Sequence, residues 1–487
     1  MRAMTAVWLG VALGSATAVQ AANEAGPMRD LGWGATPADN GIAYVPFDTA
    51  GASGGHASLV ALQPDGKLVL GGVAAAPSGG VEAFARLLQP HGALDLGFGT
   101  AGRVRLGPLV IDGPTSMAIT ADGKIVYTAF LTSTTFVIWR LLADGTPDMS
   151  FDLDGRRAFS VTAFMPLGSI LRTQHVVAQP DGKIVIFTGA GRTAPDVQVY
   201  AVATRLNIDG STDTTFGGQG TGVGRYAPNN DGTPVAQANA AVLLPDGQFV
   251  VGGIAYRSGG SSSDLITFRL SANGVLDTGY GTDGFGIVAF DQGGLLDDYL
   301  SGVAVDSAGR AVVTGNFDDA TNRPRAAVAR FTASGQADTS FGAGGRVFYA
   351  VHADATREYS RSVAVLSGDR ILVAGTTVLC ECTQAIVGTI TQFESNGQIN
   401  RLFGVDGTEL IGRYPGPEAQ VLYASQMAVS GDYAYLVGSA DLPSATNVQA
   451  FASTRVIVPL FRSGFDGGAP APPDATLPLP QLASQVH

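Results

Sequence analysis

"LVALQPDGKLVLGG", from Leu59 to Gly72, is an alternating apolar run, a Pro-Asp-Gly corner and a second apolar run. Pro presets φ at the first corner position, Asp accepts hydrogen bonds from the backbone that follows, and Gly takes the positive φ. The stretch therefore codes for a hairpin. It returns as "VVAQPDGKIVIFTG" from Val176 to Gly189 and as "AVLLPDGQFVVGG" from Ala241 to Gly253. A unit recurring at a regular period is one supersecondary block being stacked. With the turn Gly, or the Asp that replaces it, as the mark, copies fall at Gly66, Gly123, Gly182, Gly247, Gly309, Asp369 and Asp432.

Each of the first six marks is followed by a second signature, an acid or amide with an aromatic residue three positions later: Asp95/Phe98, Asp148/Phe151, Asp213/Phe216, Asp277/Tyr280, Asp338/Phe341 and Asn400/Phe403. The seventh unit lacks it, and the missing copy stands at the other end of the chain as Asp30-Leu-Gly-Trp33-Gly34, followed by an apolar run. If that N-terminal run supplies the last strand of the last unit, the ring closes with no free sheet edge, whereas an open solenoid would need a cap at each end. The pattern predicts an all-β fold, a seven-bladed β-propeller of four-stranded blades closed by an N-terminal strand. In the first unit the strands are expected at Ser58–Leu62, Lys67–Gly71, Ala83–Leu88 and Gly102–Leu106. The repeated Asp residues read as turn braces and the aromatic residues as plugs between neighbouring blades.

The pairing of "LQPDGKLVLGG" with "LDLGFGTAGRV" resembles the delta-60 repeat family of bacterial exported proteins, from about Asp30 to Phe461. The sixth and seventh turns, "LSGDRIL" and "VSGDYAY", depart from its motif. The resemblance implies a propeller-like secreted or surface protein and carries over no catalytic motif.

The ends of the chain differ from the repeats. Residues 1–21 have one positive charge, Arg2, a short apolar run and small residues up to Ala21, the pattern of a secretory signal peptide. The run is too short to span a bilayer, and no later segment approaches the roughly 18 apolar residues of a transmembrane helix. These features predict a soluble, monomeric propeller over residues 22–462 in a secreted, periplasmic or cell-surface location. Residues 463–487 are rich in Pro and small residues and read as a disordered tail. The formal net charge of −12 argues against nucleic acid as a partner. The two cysteines, Cys380 and Cys382, suit a local disulfide or an inert pair better than zinc, which wants four ligands.

In such a blade the first and third turns share one face, and the second loops and blade-to-blade connections share the other. The loops of that second face vary in length and chemistry, so any ligand is expected there. Its densest polar cluster is "FDQGGLLDDYL" with "GNFDDATNRPR". Asp297, Asp298, Asp318 and Asp319 are the candidate metal ligands, with calcium as the candidate cofactor, since calcium takes about six to eight oxygens. The alternative is a set of solvated loop acids, and no EF-hand spacing is present. Tyr299, Arg323, Arg325, Arg357 and Tyr359 are the candidate ligand-binding residues. His352, Asp354 and Glu358 are the candidates for acid–base catalysis, set against a plain salt-bridged loop. "GASGGH", Gly51–His56, matches a serine-elbow pattern but lacks the strand–helix context such an elbow needs. The reading that follows is a non-enzymatic scaffold binding a protein, glycan or cell-envelope component, with an extracellular hydrolase or lyase acting over the central channel as the alternative.

Overall fold

The computed structural model describes residues 30–34, 41–47, 55–76, 79–89, 91–108, 114–160, 162, 170–192, 198–228, 236–256, 262–290, 297–380, 385–411, 423–441 and 449–458. Seven antiparallel sheets follow one another around a ring. Blades one to seven begin with the strands Gly55–Leu62, Pro114–Ile119, Ile170–Ala178, Ala236–Leu243, Asp298–Val305, Arg357–Val365 and Tyr423–Ser430. Each of these first strands touches the next, and the last returns to the first, so together they wall a central channel. A turn of 3-10 helix, Ser367–Asp369, interrupts the β structure between the first two strands of blade six.

Closure takes the expected form. Ile42–Val45 pairs antiparallel with Gln449–Ile457 and completes blade seven, with Ile42 opposite Thr454. Just upstream, Trp33 is fully buried and its Nε1 donates to the Ser453 carbonyl at 3.1 Å. The N-terminal strand thereby pairs the edge that Gln449–Ile457 would otherwise leave open, and ties the two ends of the chain into one blade.

The blade-one strands run longer than the apolar alternation indicates, over Gly55–Leu62, Leu68–Ala76, Gly79–Leu88 and Arg103–Pro108. The added residues are mostly Gly and Ala, which pair without displaying a period-2 pattern. The turn marks behave as corners: Gly66 and Gly182 have φ of 83° and 82°, and Asp65 Oδ1 accepts from Lys67 N at 3.1 Å. The two Ser-Gly-Asp turns differ: in blade six both Gly368 and the mark Asp369 have positive φ, 74° and 58°, whereas in blade seven the positive φ falls on Gly431 and not on Asp432.

Apolar contact runs mainly between blades. Phe84, Phe98 and Val104 of blade one pack with Met117, Ile125 and Tyr127 of blade two. A second repeated device shapes the channel wall. Every first strand carries an irregularity against its second strand; in six blades a single residue is left out of the ladder, namely Ser58, Thr115, Asn239, Ser301, Arg361 and Ser425. The bulge pushes backbone onto a glycine of the second strand. A Cβ on Gly72 would lie 2.0 Å from the His56 carbonyl, and one on Gly375 would lie 2.0 Å from that of Tyr359. The glycine ending the Leu59–Gly72 stretch is thus required by close approach.

Candidate functional site

The turn face spends its polar groups on structure. In blade two, Arg140 Nε donates to Asp148 Oδ2 at 2.8 Å, the guanidinium lies 4.7 Å from the Phe151 ring centroid, and Nη1 donates to the Ile208 carbonyl of blade three at 2.5 Å. The same staple recurs with Arg86/Asp95/Phe98, Arg205/Asp213/Phe216, Arg269/Asp277/Tyr280 and Arg330/Asp338/Phe341, and at the closure with Arg455/Asp30/Trp33. Each Asp also braces its own turn, as when Asp148 Oδ1 accepts from Ser150 N at 3.1 Å. In the first three blades the Lys after Pro-Asp-Gly or its equivalent joins in, with Lys183 Nζ 2.7 Å from Asp213. Burial alone would raise Asp148, but hydrogen bonds from Ser150 and Lys124 and the charge of Arg140 bring it down to about 2. Asp95, Asp148, Asp213, Asp277 and Asp338 are all lowered from the ordinary carboxylate value and are spent on their turns and ion pairs, so they have little left to offer a ligand.

Blade six departs from this. Its pair is neutral, Gln392 and Asn400, with Asn400 Nδ2 donating to Gln392 Oε1 at 2.5 Å. Among the described residues Gln392 Nε2 has no partner. The arginine of the staple is the main feature that motif reading missed, although its signal is present: an Arg eight or nine residues before each signature Asp in blades one to five.

The loop face gathers the sequence candidates around blades five and six and divides them into two groups. One group is structural. Asp298 is fully buried, and its Oδ2 accepts from Phe290 N at 2.7 Å. Asp319 braces its loop: Oδ1 accepts from Thr321 N at 2.8 Å and from Arg323 N at 3.2 Å, and Oδ2 accepts from Arg325 Nε at 3.0 Å. Burial pulls Asp319 upward, but the bonds from Thr321, Arg323 and Arg325 win and hold it far below the usual carboxylate range. Arg325 also reaches the Ala355 carbonyl at 3.2 Å and lies 3.7 Å from Glu358. Glu358 is buried and accepts from Val351 N at 2.5 Å; burial raises its pKa, and the Val351 and Arg325 contacts only partly offset that. His352 Nδ1 accepts from Asp354 N at 3.1 Å. His352 and Asp354 thus lie in the connection into blade six and Glu358 in the strand it feeds, and the three serve mainly to shape that junction.

The second group is open to solvent. Tyr299 is 48% exposed, and its hydroxyl is 3.5 Å from Asp297 Oδ2. Asp318 stands near enough to Asp297 and Asp319 that burial first, and then their two charges, raise its pKa. Burial and the same acids, Asp297 and Asp318, raise Tyr299. Asp297 Oδ1 also accepts from Ser263 Oγ at 3.3 Å. Two half-buried carboxyls and an exposed phenol therefore meet at one spot with hydrogen-bonding capacity left over. Arg323 is exposed in the same blade, and Arg357, exposed, and Tyr359, half-buried, lie together on the first strand of blade six. Among the described residues, no three His, Cys, Asp or Glu side chains converge as a metal site. The Cys380 and Cys382 pairing falls outside the described residues, as do residues 1–21, Asp291, Ser53 and the tail 463–487.

With this geometry in view, the comparisons fit the architecture. A family model, Domain of unknown function (DUF5122) beta-propeller, matches residues 63–98, 120–151, 179–216, 244–280 and 309–341. These segments are β-propeller repeats. The matched β-propeller repeats run from the hairpin to the aromatic plug, and they are the five blades that carry Arg, Asp and plug in one continuous stretch. Blade six has the neutral pair, and blade seven takes its signature from the N-terminal segment. No functionally curated protein matches the chain in sequence. Among solved structures, the polysaccharide lyase Uly1 is similar at 9% identity and a TM-score of 0.49, over 85% of this chain and 92% of that one. A protein of unknown function from Dyadobacter fermentans DSM 18053 is similar at 12% identity and 0.41, over 86% and 100%. The GH93 alpha-L-arabinofuranosidase of Fusarium graminearum follows at 10% and 0.40, over 70% and 92%. At such identities and scores these likenesses say nothing about the chemistry of this chain.

Proposed function

We propose that the protein is an exported, monomeric binding propeller of the delta-60 kind, whose loop face around blade five holds a hydroxyl-rich ligand, a glycan of the surroundings or of the cell envelope. The observation that supports this reading is the group of half-buried Asp297 and Asp318 with exposed Tyr299, two acids that brace no turn and join no ion pair among the described residues. Carboxylates accept hydrogen bonds from vicinal hydroxyls, and a half-exposed Tyr offers a flat apolar face with a polar tip. Calcium bridging the two acids belongs to the same site as a cofactor of binding.

A second reading has an observation of its own. Two neighbouring carboxyls, one of them raised, are the arrangement that separates a general acid from a base, which favours a hydrolase acting at the same spot.

Both readings are tested by thermal melting of the mature chain with calcium, with chelator and with a panel of neutral oligosaccharides, because a ligand that binds the folded state raises its stability by mass action. A rise lost in Asp318→Ala and Tyr299→Ala supports the site. No rise with any of them, or a rise that both variants keep, contradicts it. Release of shorter sugars from a binding oligosaccharide would favour the hydrolase.

A further inference from the structure

The six single-residue bulges are equivalent positions, and five carry small polar residues: Ser58, Thr115, Asn239, Ser301 and Ser425. Blade six carries Arg361. A first strand is hydrogen-bonded along one edge only, so a residue expelled from that ladder stands toward the unpaired edge, which is the channel. Bulges are used in this way to re-aim one side chain. Arg361 fits this placement: it is exposed while its neighbour Ser360 is buried, and burial in the surrounding wall nevertheless lowers its pKa. Its guanidinium lies 5.0 Å from the Tyr359 ring centroid. Among the described residues no carboxylate pairs with it, unlike Arg86, Arg140, Arg205, Arg269, Arg330 and Arg455. In a chain of formal net charge −12, a partly desolvated cation left without a carboxylate in the channel wall has reason to be there.

We propose that Arg361, backed by Tyr359, is an anion-receiving site in the channel wall, which takes the carboxylate or sulfate group of a small acidic ligand. The guanidinium fork presents parallel N–H donors that match two oxygens of an oxyanion, and the Tyr359 ring fixes the plane of the fork from one side. Burial around the guanidinium strengthens the attraction, and Ser58, Asn239, Ser301 and Ser425, at the equivalent positions of blades one, four, five and seven, are neutral. This site is independent of the Asp297 and Asp318 group, so either can fail without the other.

The test is calorimetric titration of the mature chain at low salt with D-glucuronate, inorganic sulfate and D-glucose, on the wild type, Arg361→Ser and Arg361→Lys. Serine occupies the bulge of blades one, five and seven, so Arg361→Ser keeps a residue the fold already accepts there. The expected result is millimolar or tighter binding of at least one anion and none of glucose, at least about tenfold weaker in Arg361→Ser and partly restored in Arg361→Lys. Glucuronate alone binding would assign a carboxylate ligand, and sulfate alone a tetrahedral one. Wild type that binds neither anion, or Arg361→Ser that binds as well as wild type, overturns the proposal.

Discussion

The two faces of this ring are built from the same seven hairpin units and treat charge in opposite ways. On the turn face, Asp148 is bound by Arg140, Lys124 and Ser150 and is nine-tenths or more buried. On the loop face, Asp318 is held up by burial and by like charges beside it. The first arrangement makes a charge part of the scaffold, whereas the second keeps one available. Where a repeat demands the same residue in every blade, the demand is structural; where blades differ, as at Arg361 and Asp318, the scaffold has no stake in the choice.

The comparison can be broken most directly at a staple. Arg140→Ala removes one partner of a buried pair and a bond into the next blade, and should cost about 3–5 kcal/mol in a denaturant titration. Trp33→Ala tests the closure, where the plug comes from the far end of the chain; loss of a fully buried aromatic should cost about 3 kcal/mol and lower the melting transition of the whole ring as one event. A second, early transition for blade seven alone would contradict a closed ring.

Acid sharpens the contrast. The folded-state value of Asp148 lies below its usual 3.8, at about 2, so the unfolded chain binds the proton more tightly. Its contribution is therefore complete above about pH 4 and lost as pH falls toward 2, an effect on the order of 2 kcal/mol. Urea midpoints of the wild type should fall across that window, with Asp148→Asn falling less. Blade six supplies the converse. Gln392→Arg with Asn400→Asp gives it the staple of the other blades and should add about 1 kcal/mol, read from the same titration. The smallest effect belongs to the loop face: Asp318→Asn relieves repulsion from Asp297 and should change stability by no more than about 0.5 kcal/mol.

Much of this was legible in the chain, for physical reasons that vary with the feature. The hairpins were legible because Pro-Asp-Gly has a turn mechanism, and the closure because the signature missing after blade seven stands at Asp30–Trp33. The staple arginines escaped notice because an Arg on an outer strand reads as a solvated charge until its partner in the next blade is known. The channel bulges could not be read from period-2 alternation, since the expelled residue interrupts the period it would have to reveal; the glycines opposite, Gly72 and Gly375, were their trace. Among the loop acids, composition grouped four aspartates together, while only the fold distinguishes Asp298 and Asp319, bonded to backbone N–H groups, from Asp297 and Asp318, grouped with Tyr299.

The measurement that bears most directly on this division of labour is thermal melting of two double variants beside the wild type. Arg330→Gln with Asp338→Asn turns the staple of blade five into the neutral pair of blade six, and Asp297→Ala with Asp318→Ala empties the loop-face pair of charge. The first should melt at least about 4 °C below the wild type and the second within about 1 °C of it. A loop-face variant that melts as far down as the staple variant, or a staple variant that melts with the wild type, would contradict the account.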